Sequence, residues 1–107
     1  ALIVTMNNLP GLYKYGICFN KIFDYLYSGR PILMTSCATY NYIDIANAGL
    51  ISRAGDPLSL AKNIEKMMHF SNSHRNELGL NGRNYVKDNF LYKDLAKNLS
   101  KIFNELI

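Results

Sequence analysis

Three short apolar runs, each rich in β-branched residues, limit the folds open to this chain more than any other feature. The runs cover residues 1–6, 32–35 and 50–51, and short apolar runs bounded by turn residues are typical of buried strands. Helical patterns at residues 21–28 and 42–46 separate them. Strands that alternate with helices at this spacing predict a parallel sheet with right-handed crossovers. The predicted fold class is therefore α/β, and Gly49 is the expected residue at the end of the 42–46 helix.

The second half of the chain has helical patterns throughout. Asp56 followed by Pro57 predicts an N-cap and a first helical residue. One face of the helix that they begin carries four apolar side chains, and both methionines are expected in the core: Leu60, Ile64, Met67 and Met68.

Two further helices are predicted after residue 71. Ser73 is the expected N-cap of a helix over residues 74–87. Gly79 and Gly82 lie inside that helix, where each costs about 1 kcal/mol relative to alanine, so close packing or a kink is expected there. The final helix has a single apolar stripe made of Leu95, Leu99, Ile102 and Leu106. No internal repeat or linker divides the chain, which is predicted to be one unit.

The segment before the second strand contains the strongest indication of a binding site. Asn20 is a suitable N-cap for a helix over residues 21–28. The first turn of such a helix has unpaired N–H groups and the positive end of the helix dipole, which together favour a phosphate group. Lys21 lies in that turn, and Asp24 follows one turn later. A carboxylate near a diphosphate is well placed to accept hydrogen bonds from a ribose diol, so the pattern favours a nucleotide.

Composition excludes several classes of protein. The chain has 107 residues, about half of them hydrophobic, and a net charge of +4, which fits one globular domain with an anionic ligand or surface. No apolar run approaches the roughly 18 residues of a membrane span. Cys18 and Cys37 are lone thiols, which favours a cytoplasmic protein. No spacing suits a metal site, and none suits a catalytic triad, a Walker loop or a dinucleotide fingerprint.

An ordered series of short motifs resembles the donor-binding region of family 4 glycosyltransferases, which are retaining enzymes with the GT-B fold. The bacterial surface-polysaccharide branch of the family is the most similar. The series begins with Tyr15-Gly16-Ile17, Asn20-Lys21, Phe23-Asp24-Tyr25 and Gly29-Arg30-Pro31. It continues with Asn47-Ala48-Gly49-Leu50, Gly55-Asp56-Pro57, Asn81-Gly82-Arg83 and Asn89-Phe90. The resemblance covers nearly the whole chain.

The resemblance implies a partial Rossmann-like C-terminal domain that binds a UDP- or GDP-sugar without a metal or another cofactor. It assigns Lys21 to the diphosphate and Asp24 to the ribose. Backbone amides near the helix N-terminus are implied to contact the diphosphate or sugar, and the implied donor-binding set is completed by Gly16, Ile17, Cys18, Phe19 and Asn20. The three tyrosines Tyr13, Tyr25 and Tyr27 are predicted to pack with polar tips rather than to stack on a base.

The sequence departs from the family pattern at two positions. Gly16 stands where other branches have the first acid of a paired-acid motif, so this chain lacks a carboxylate for that donor-sugar contact. Phe19 replaces a common proline, which implies a less rigid loop. No residue is assigned a catalytic role.

The resemblance also implies the partners and the location. The expected acceptor is a saccharide or a lipid-linked saccharide in capsule or lipopolysaccharide synthesis, and no nucleic acid is expected. The enzyme is expected in the cytoplasm, with peripheral contact at the inner membrane face. Because the first predicted strand starts at Ala1, the chain is expected to be the C-terminal part of a longer enzyme, inactive alone and prone to self-association. Two alternatives stay open: a GT-B-type sugar-nucleotide epimerase, and a non-enzymatic basic binding module.

Overall fold

The computed structural model describes residues 1–15, 20–38 and 40–107, and it confirms the predicted α/β class. Strands and helices alternate in the first half, and three helices follow. The elements are β1 (Leu2–Val4), α1 (Asn20–Tyr27), β2 (Ile32–Ser36), α2 (Tyr42–Ala46), β3 (Gly49–Arg53), α3 (Pro57–His69), α4 (Asn72–Asn89) and α5 (Tyr92–Leu106).

The three strands form a parallel sheet in the order β1-β2-β3. Leu2 pairs with Ile32 in the register of β1 and β2, and Ile32 pairs with Gly49 in the register of β2 and β3. Every residue of β2 is buried, as expected for the central strand of a parallel sheet with both faces covered. Ile32 and Met34, in the middle of the sheet, are completely buried in the main core.

The end of α2 differs from the prediction. Asn47, not Gly49, is the C-cap, and its left-handed φ of 50° lets its N–H group reach the carbonyls of Ile43 and Asp44. Asparagine tolerates this conformation because its short polar side chain bonds locally. Gly49 is instead the first residue of β3, where a Cβ atom would lie 1.8 Å from the carbonyl oxygen of Ile32. Glycine is required there because the two backbones approach too closely for a side chain.

The structure gives the N-cap residues of α3 and α4, for both of which the sequence makes a prediction. The carboxylate of Asp56 accepts a hydrogen bond from Ser59 N at 3.1 Å, which confirms the predicted start of α3. The predicted cap of α4 is wrong, because Ser71, not Ser73, accepts a hydrogen bond from His74 N at 3.1 Å. Phe70 packs against the second core cluster immediately after α3, so the chain turns there and α4 starts two residues early.

The two methionines of α3 have different environments. Met67 is buried with Leu33 and Leu78 in the second core cluster, as predicted. Met68 is 70% exposed, so its predicted core position is wrong. Adjacent helical residues point about 100° apart, and only one of the two can face the sheet.

Two glycines of α4 allow α4 to lie directly against α1 and the turn that follows it. A Cβ atom on Gly79 would lie 2.0 Å from the carbonyl oxygen of Gly29. A Cβ atom on Gly82 would lie 3.1 Å from the Cβ atom of Ala48 and 3.2 Å from Leu26. These distances confirm the close packing that the sequence predicts at both positions.

The last helix, α5, has the predicted apolar stripe but buries none of it. Leu95, Leu99, Ile102 and Leu106 are between 40% and 78% exposed. Within the described ranges, no helix combines the length and apolar character needed to cross a membrane.

Candidate functional site

The N-terminus of α1 lies at the edge of the sheet where the strands end. Residues 28–31 alone separate the end of α1 from the start of β2. The helix therefore runs antiparallel to the strands, and its first turn lies near their carboxyl ends. Ligands of open parallel sheets bind at this edge.

The loop that leads from β1 toward α1 is bonded to the central strand. Met6 N donates a hydrogen bond to Thr35 Oγ1 at 2.9 Å, and that hydroxyl donates to Met6 O at 3.4 Å. Both residues are buried. A buried polar contact of this kind sets where the loop leaves the sheet.

Four of the predicted donor-binding residues lie outside the described residues: Gly16, Ile17, Cys18 and Phe19. Their implied amide contacts stay predictions. Asn20 was expected as the N-cap and is the first residue of α1, so the predicted helix start is correct to within one residue.

Lys21 and Asp24 lie together on the solvent side of α1. Both are exposed, and residues three apart are neighbours on a helix surface. Among residues 1–15, 20–38 and 40–107 the one ion pair is His74–Glu77, at 3.7 Å. The described structure therefore leaves an ammonium and a carboxylate, one turn apart, without a salt-bridge partner.

Asp24 also faces a cavity of about 630 Å³ between α1 and the start of α5. Among the described residues that line the cavity, Asp24 is the one with an ionisable acid or base, apart from the tyrosines. The others are Phe23, Tyr27, Tyr42, Val86, Phe90, Leu91, Tyr92 and Leu95. A ligand with a hydroxyl pair and a flat apolar surface suits such a wall, because the carboxylate accepts hydrogen bonds and the rings supply apolar contact.

The aromatic side of this cavity is built from three separate elements. The ring of Phe23 lies 4.8 Å from that of Phe90 and 5.6 Å from that of Tyr42, and Tyr42 lies 5.3 Å from Phe90. No local pattern in the sequence predicts this cluster. The rings meet only through the tertiary fold, because Phe23, Tyr42 and Phe90 lie between 19 and 67 positions apart in the sequence.

The predicted role of the tyrosines is confirmed for two of the three. Tyr13 and Tyr25 are half-buried against the main core. Tyr27 is 46% exposed and lines the cavity beside Asp24, while one side of its ring packs against Arg83, so its packing role is only partial. It lies on the same side of α1 as Asp24 because the two are three residues apart.

Tyr85 extends the aromatic cluster towards Tyr40. Burial, and then the nearby hydroxyls of Tyr40 and Tyr42, raise the pKa of Tyr85 above its ordinary value, as does a hydrogen bond with Tyr40. The Tyr85 hydroxyl therefore stays protonated throughout the neutral range and serves as a hydrogen-bonding group, not as a base.

A second cavity, with a polar lining, lies apart from the aromatic one. It has a volume of about 350 Å³, includes Arg30 and Arg75, and lies near the starts of β1 and β2, at the opposite edge of the sheet from the first turn of α1. In the part of the chain that the structure describes, no three His, Cys, Asp or Glu side chains converge as metal ligands. Cys37 is a free, half-buried thiol.

Comparisons with known proteins support the fold. No protein-family model matches the sequence, and no curated protein gives a significant match. The structure is similar to sucrose-phosphate synthase from Thermosynechococcus elongatus, with a TM-score of 0.73 and 20% sequence identity over 86% of this chain. The chain spans 23% of the length of that protein. The likeness shows an α/β fold, with a three-stranded parallel sheet flanked by helices, similar to part of that synthase.

Proposed function

We propose that this chain is the donor-binding part of a retaining family 4 glycosyltransferase. One observation carries the proposal: Asp24 presents an exposed carboxylate without a salt-bridge partner, one turn into a helix that starts at the carboxyl edge of a parallel sheet. The similarity of the fold to a glycosyltransferase domain and the ordered motifs of residues 15–31 support it further.

Each polar group near the start of α1 has a separate role in the proposal. Asp24 accepts hydrogen bonds from the two ribose hydroxyls of the donor. Lys21 neutralises part of the diphosphate charge, and the anion in turn removes the cost of a cation at the helix N-terminus. The backbone amides of residues 16–19 contact the diphosphate or the sugar.

The reaction transfers a sugar from a UDP- or GDP-sugar to a hydroxyl group of the acceptor, with retention of configuration. The bond from the anomeric carbon to the diphosphate breaks, and a bond from that carbon to the acceptor oxygen forms, while the proton of the acceptor hydroxyl passes to the leaving diphosphate oxygen. Negative charge develops on the leaving diphosphate, where helix N-terminal amides and Lys21 stabilise it. The proposal requires no metal ion, and addition of a chelator is expected to leave transfer unchanged.

The rest of the enzyme supplies the acceptor site. We propose a saccharide or lipid-linked saccharide acceptor in the synthesis of a bacterial surface polysaccharide, at the cytoplasmic face of the membrane. The acceptor and part of the base contact other segments of the enzyme, so this chain is expected to be inactive when expressed alone.

Asp24→Asn in the whole enzyme is the direct test. The substitution keeps the size of the side chain but removes its charge and one acceptor. Charge-assisted hydrogen bonds contribute about 1.5–3 kcal/mol, so donor affinity measured by calorimetry is expected to fall about ten- to a hundredfold. A 2′,3′-dideoxy donor is expected to bind both proteins almost equally, because it lacks the hydroxyls that Asp24 contacts.

Asp88→Asn is the matched control, because Asp88 is an exposed helical aspartate that does not line the cavity. It is expected to leave both affinities unchanged. Unaltered binding of the ribose-containing donor by a correctly folded Asp24→Asn enzyme would contradict the proposed function.

Product analysis separates the proposal from its two alternatives. A sugar-nucleotide epimerase would convert the donor to its epimer without an acceptor, whereas the glycosyltransferase needs an acceptor for productive transfer. A basic binding module would bind neither UDP nor GDP with a preference for the ribose hydroxyls.

A further inference from the structure

Arg83 of α4 holds the last turn of α1. Its Nε–H group donates a hydrogen bond to the carbonyl oxygen of Tyr27 at 2.9 Å, across 56 positions of sequence. Tyr27 is the final residue of α1, and the last carbonyls of a helix lack partners within the helix. A cation at this end also interacts favourably with the helix dipole.

The guanidinium group of Arg83 also touches the side chain of Tyr27. Its Cζ atom lies 5.3 Å from the centre of the Tyr27 ring, within the range of a cation–π contact. The turn at Gly29, with a φ of 76°, passes beside it, and a Cβ atom there would lie 3.6 Å from the same Cζ. No carboxylate within the described residues forms an ion pair with Arg83. The partners of its guanidinium group in the described structure are therefore the carbonyl oxygen and the ring of Tyr27.

The backbone around Arg83 is rigidly placed against α1. The neighbouring residue, Gly82, is buried against Leu26 of α1. The guanidinium group therefore reaches Tyr27 from a helix whose distance from α1 is set by close packing. A small displacement of α4 would move the ring of Tyr27 with it.

We propose that Arg83 is a positioning residue for the ribose contact of Asp24. It fixes the last turn of α1 and the ring of Tyr27, which lines the same cavity as Asp24 and lies one turn away on the same side of the helix. The ring then limits where a ribose can lie against the carboxylate. This inference rests on the proposed function, and it adds a residue that touches no substrate.

The test compares two variants of the whole enzyme with two donors. Arg83→Met keeps most of the apolar stem but removes the charge and the hydrogen bonds. Without this anchor the ring of Tyr27 no longer holds the ribose against Asp24, so affinity for the ribose-containing donor is expected to fall about three- to tenfold, the loss of part of one hydrogen bond. Affinity for the 2′,3′-dideoxy donor is expected to change less than about twofold. Arg83→Lys restores the charge without the planar group, and is expected to recover part of the lost affinity.

Coupling to Asp24 distinguishes positioning from a general structural role. In the Asp24→Asn background, Arg83→Met is expected to cause a clearly smaller loss of affinity, because the contact that it positions has already lost its charge and one acceptor. Arg75→Met is the matched control. Arg75 lies on the same helix, and its guanidinium group bonds to Asn72 within α4, so this change is expected to affect neither donor.

Two results would overturn the inference. One is an equal loss of affinity for both donors in Arg83→Met, and the other is no loss for either donor while Asp24→Asn shows its expected effect. If Arg83→Met does not fold, Arg83→Lys alone decides, with an expected loss confined to the ribose-containing donor. An Asp24→Asn enzyme that binds both donors as tightly as the original enzyme would contradict the proposed function, and therefore also this inference.

Discussion

Lys21 and Asp24 have opposite charges and different surroundings on one short helix. Lys21 lies in the first turn of α1, where the helix dipole disfavours a cation. Asp24 is one turn further on and borders an apolar cavity, where an acceptor of hydrogen bonds has few protein partners. A ligand with an anionic group beside Lys21 and hydroxyl groups beside Asp24 would stabilise both side chains.

Lys21→Ala tests the first of these contacts. In the whole enzyme, the affinity for a nucleoside diphosphate is expected to fall about tenfold, the lower end of the range for a charge-assisted hydrogen bond, and the affinity for the nucleoside is expected to stay the same. The loss is expected to shrink as salt is added, because solvent-exposed charges are screened. Calorimetry at two salt concentrations measures both effects.

Lys62→Ala provides the control for total charge, since Lys62 is an exposed lysine on α3. It is expected to leave diphosphate affinity within error of the original protein. Equal losses for nucleoside and diphosphate in Lys21→Ala would exclude a phosphate contact.

At the scale of elements, the packing of α4 against α1 and the turn that follows it depends on two glycines, which differ in how much space they leave for a side chain. The virtual Cβ atom of Gly79 overlaps backbone, whereas that of Gly82 meets Ala48 and Leu26 at the near limit of ordinary contact. Glycine lowers helix stability by about 1 kcal/mol relative to alanine. The effect of an alanine substitution on stability is therefore the gain in helix stability minus the cost of crowding the space next to α4.

Gly79→Ala is expected to destabilise the protein by about 1–3 kcal/mol, because overpacking against the Gly29 carbonyl forces α4 away from α1. Gly82→Ala is expected to cost clearly less, since displacements of a few tenths of an ångström relieve its contacts and the helical gain offsets part of the cost. Denaturant unfolding of both variants measures the difference. A Gly79→Ala protein as stable as the original would mean that α4 is not in close contact with the turn that follows α1.

At the scale of the whole molecule, apolar surface is left uncovered on two elements, α5 and β1. The radius of gyration is 15.7 Å, whereas a compact chain of this length has about 13 Å. The apolar stripe of α5 is exposed along its length, and Ile3 on the edge strand β1 is 51% exposed. Uncovered stripes and strand edges favour association with another surface.

The isolated chain is therefore expected to form dimers or larger assemblies at high micromolar concentration. Replacing Leu99 and Ile102 with serine removes the centre of the stripe, and is expected to reduce the average mass measured by light scattering. Ile3→Lys tests the strand edge in the same way. A monodisperse monomer of the unsubstituted chain at that concentration would contradict this prediction.

The sequence by itself determined the features that depend on neighbouring residues. The three strands follow from short apolar runs, and the start of α3 follows from Asp56 and Pro57, because capping acts within one turn of helix. The placement of Lys21 and Asp24 one turn apart on the same side of α1 also needed only the helical repeat, whereas their exposure depends on the tertiary structure. The contacts proposed for residues 16–19 stay predictions.

Only the tertiary structure decided the features that depend on distant contacts. Gly49 begins a strand because its backbone meets Ile32, and Asn47 therefore ends the preceding helix. Met68 faces solvent because the sheet accepts only one side of α3. The cavity beside Asp24 exists because rings of α1, α2 and the end of α4 meet. Local patterns specify which side of an element is apolar, but long-range packing decides which surface covers it.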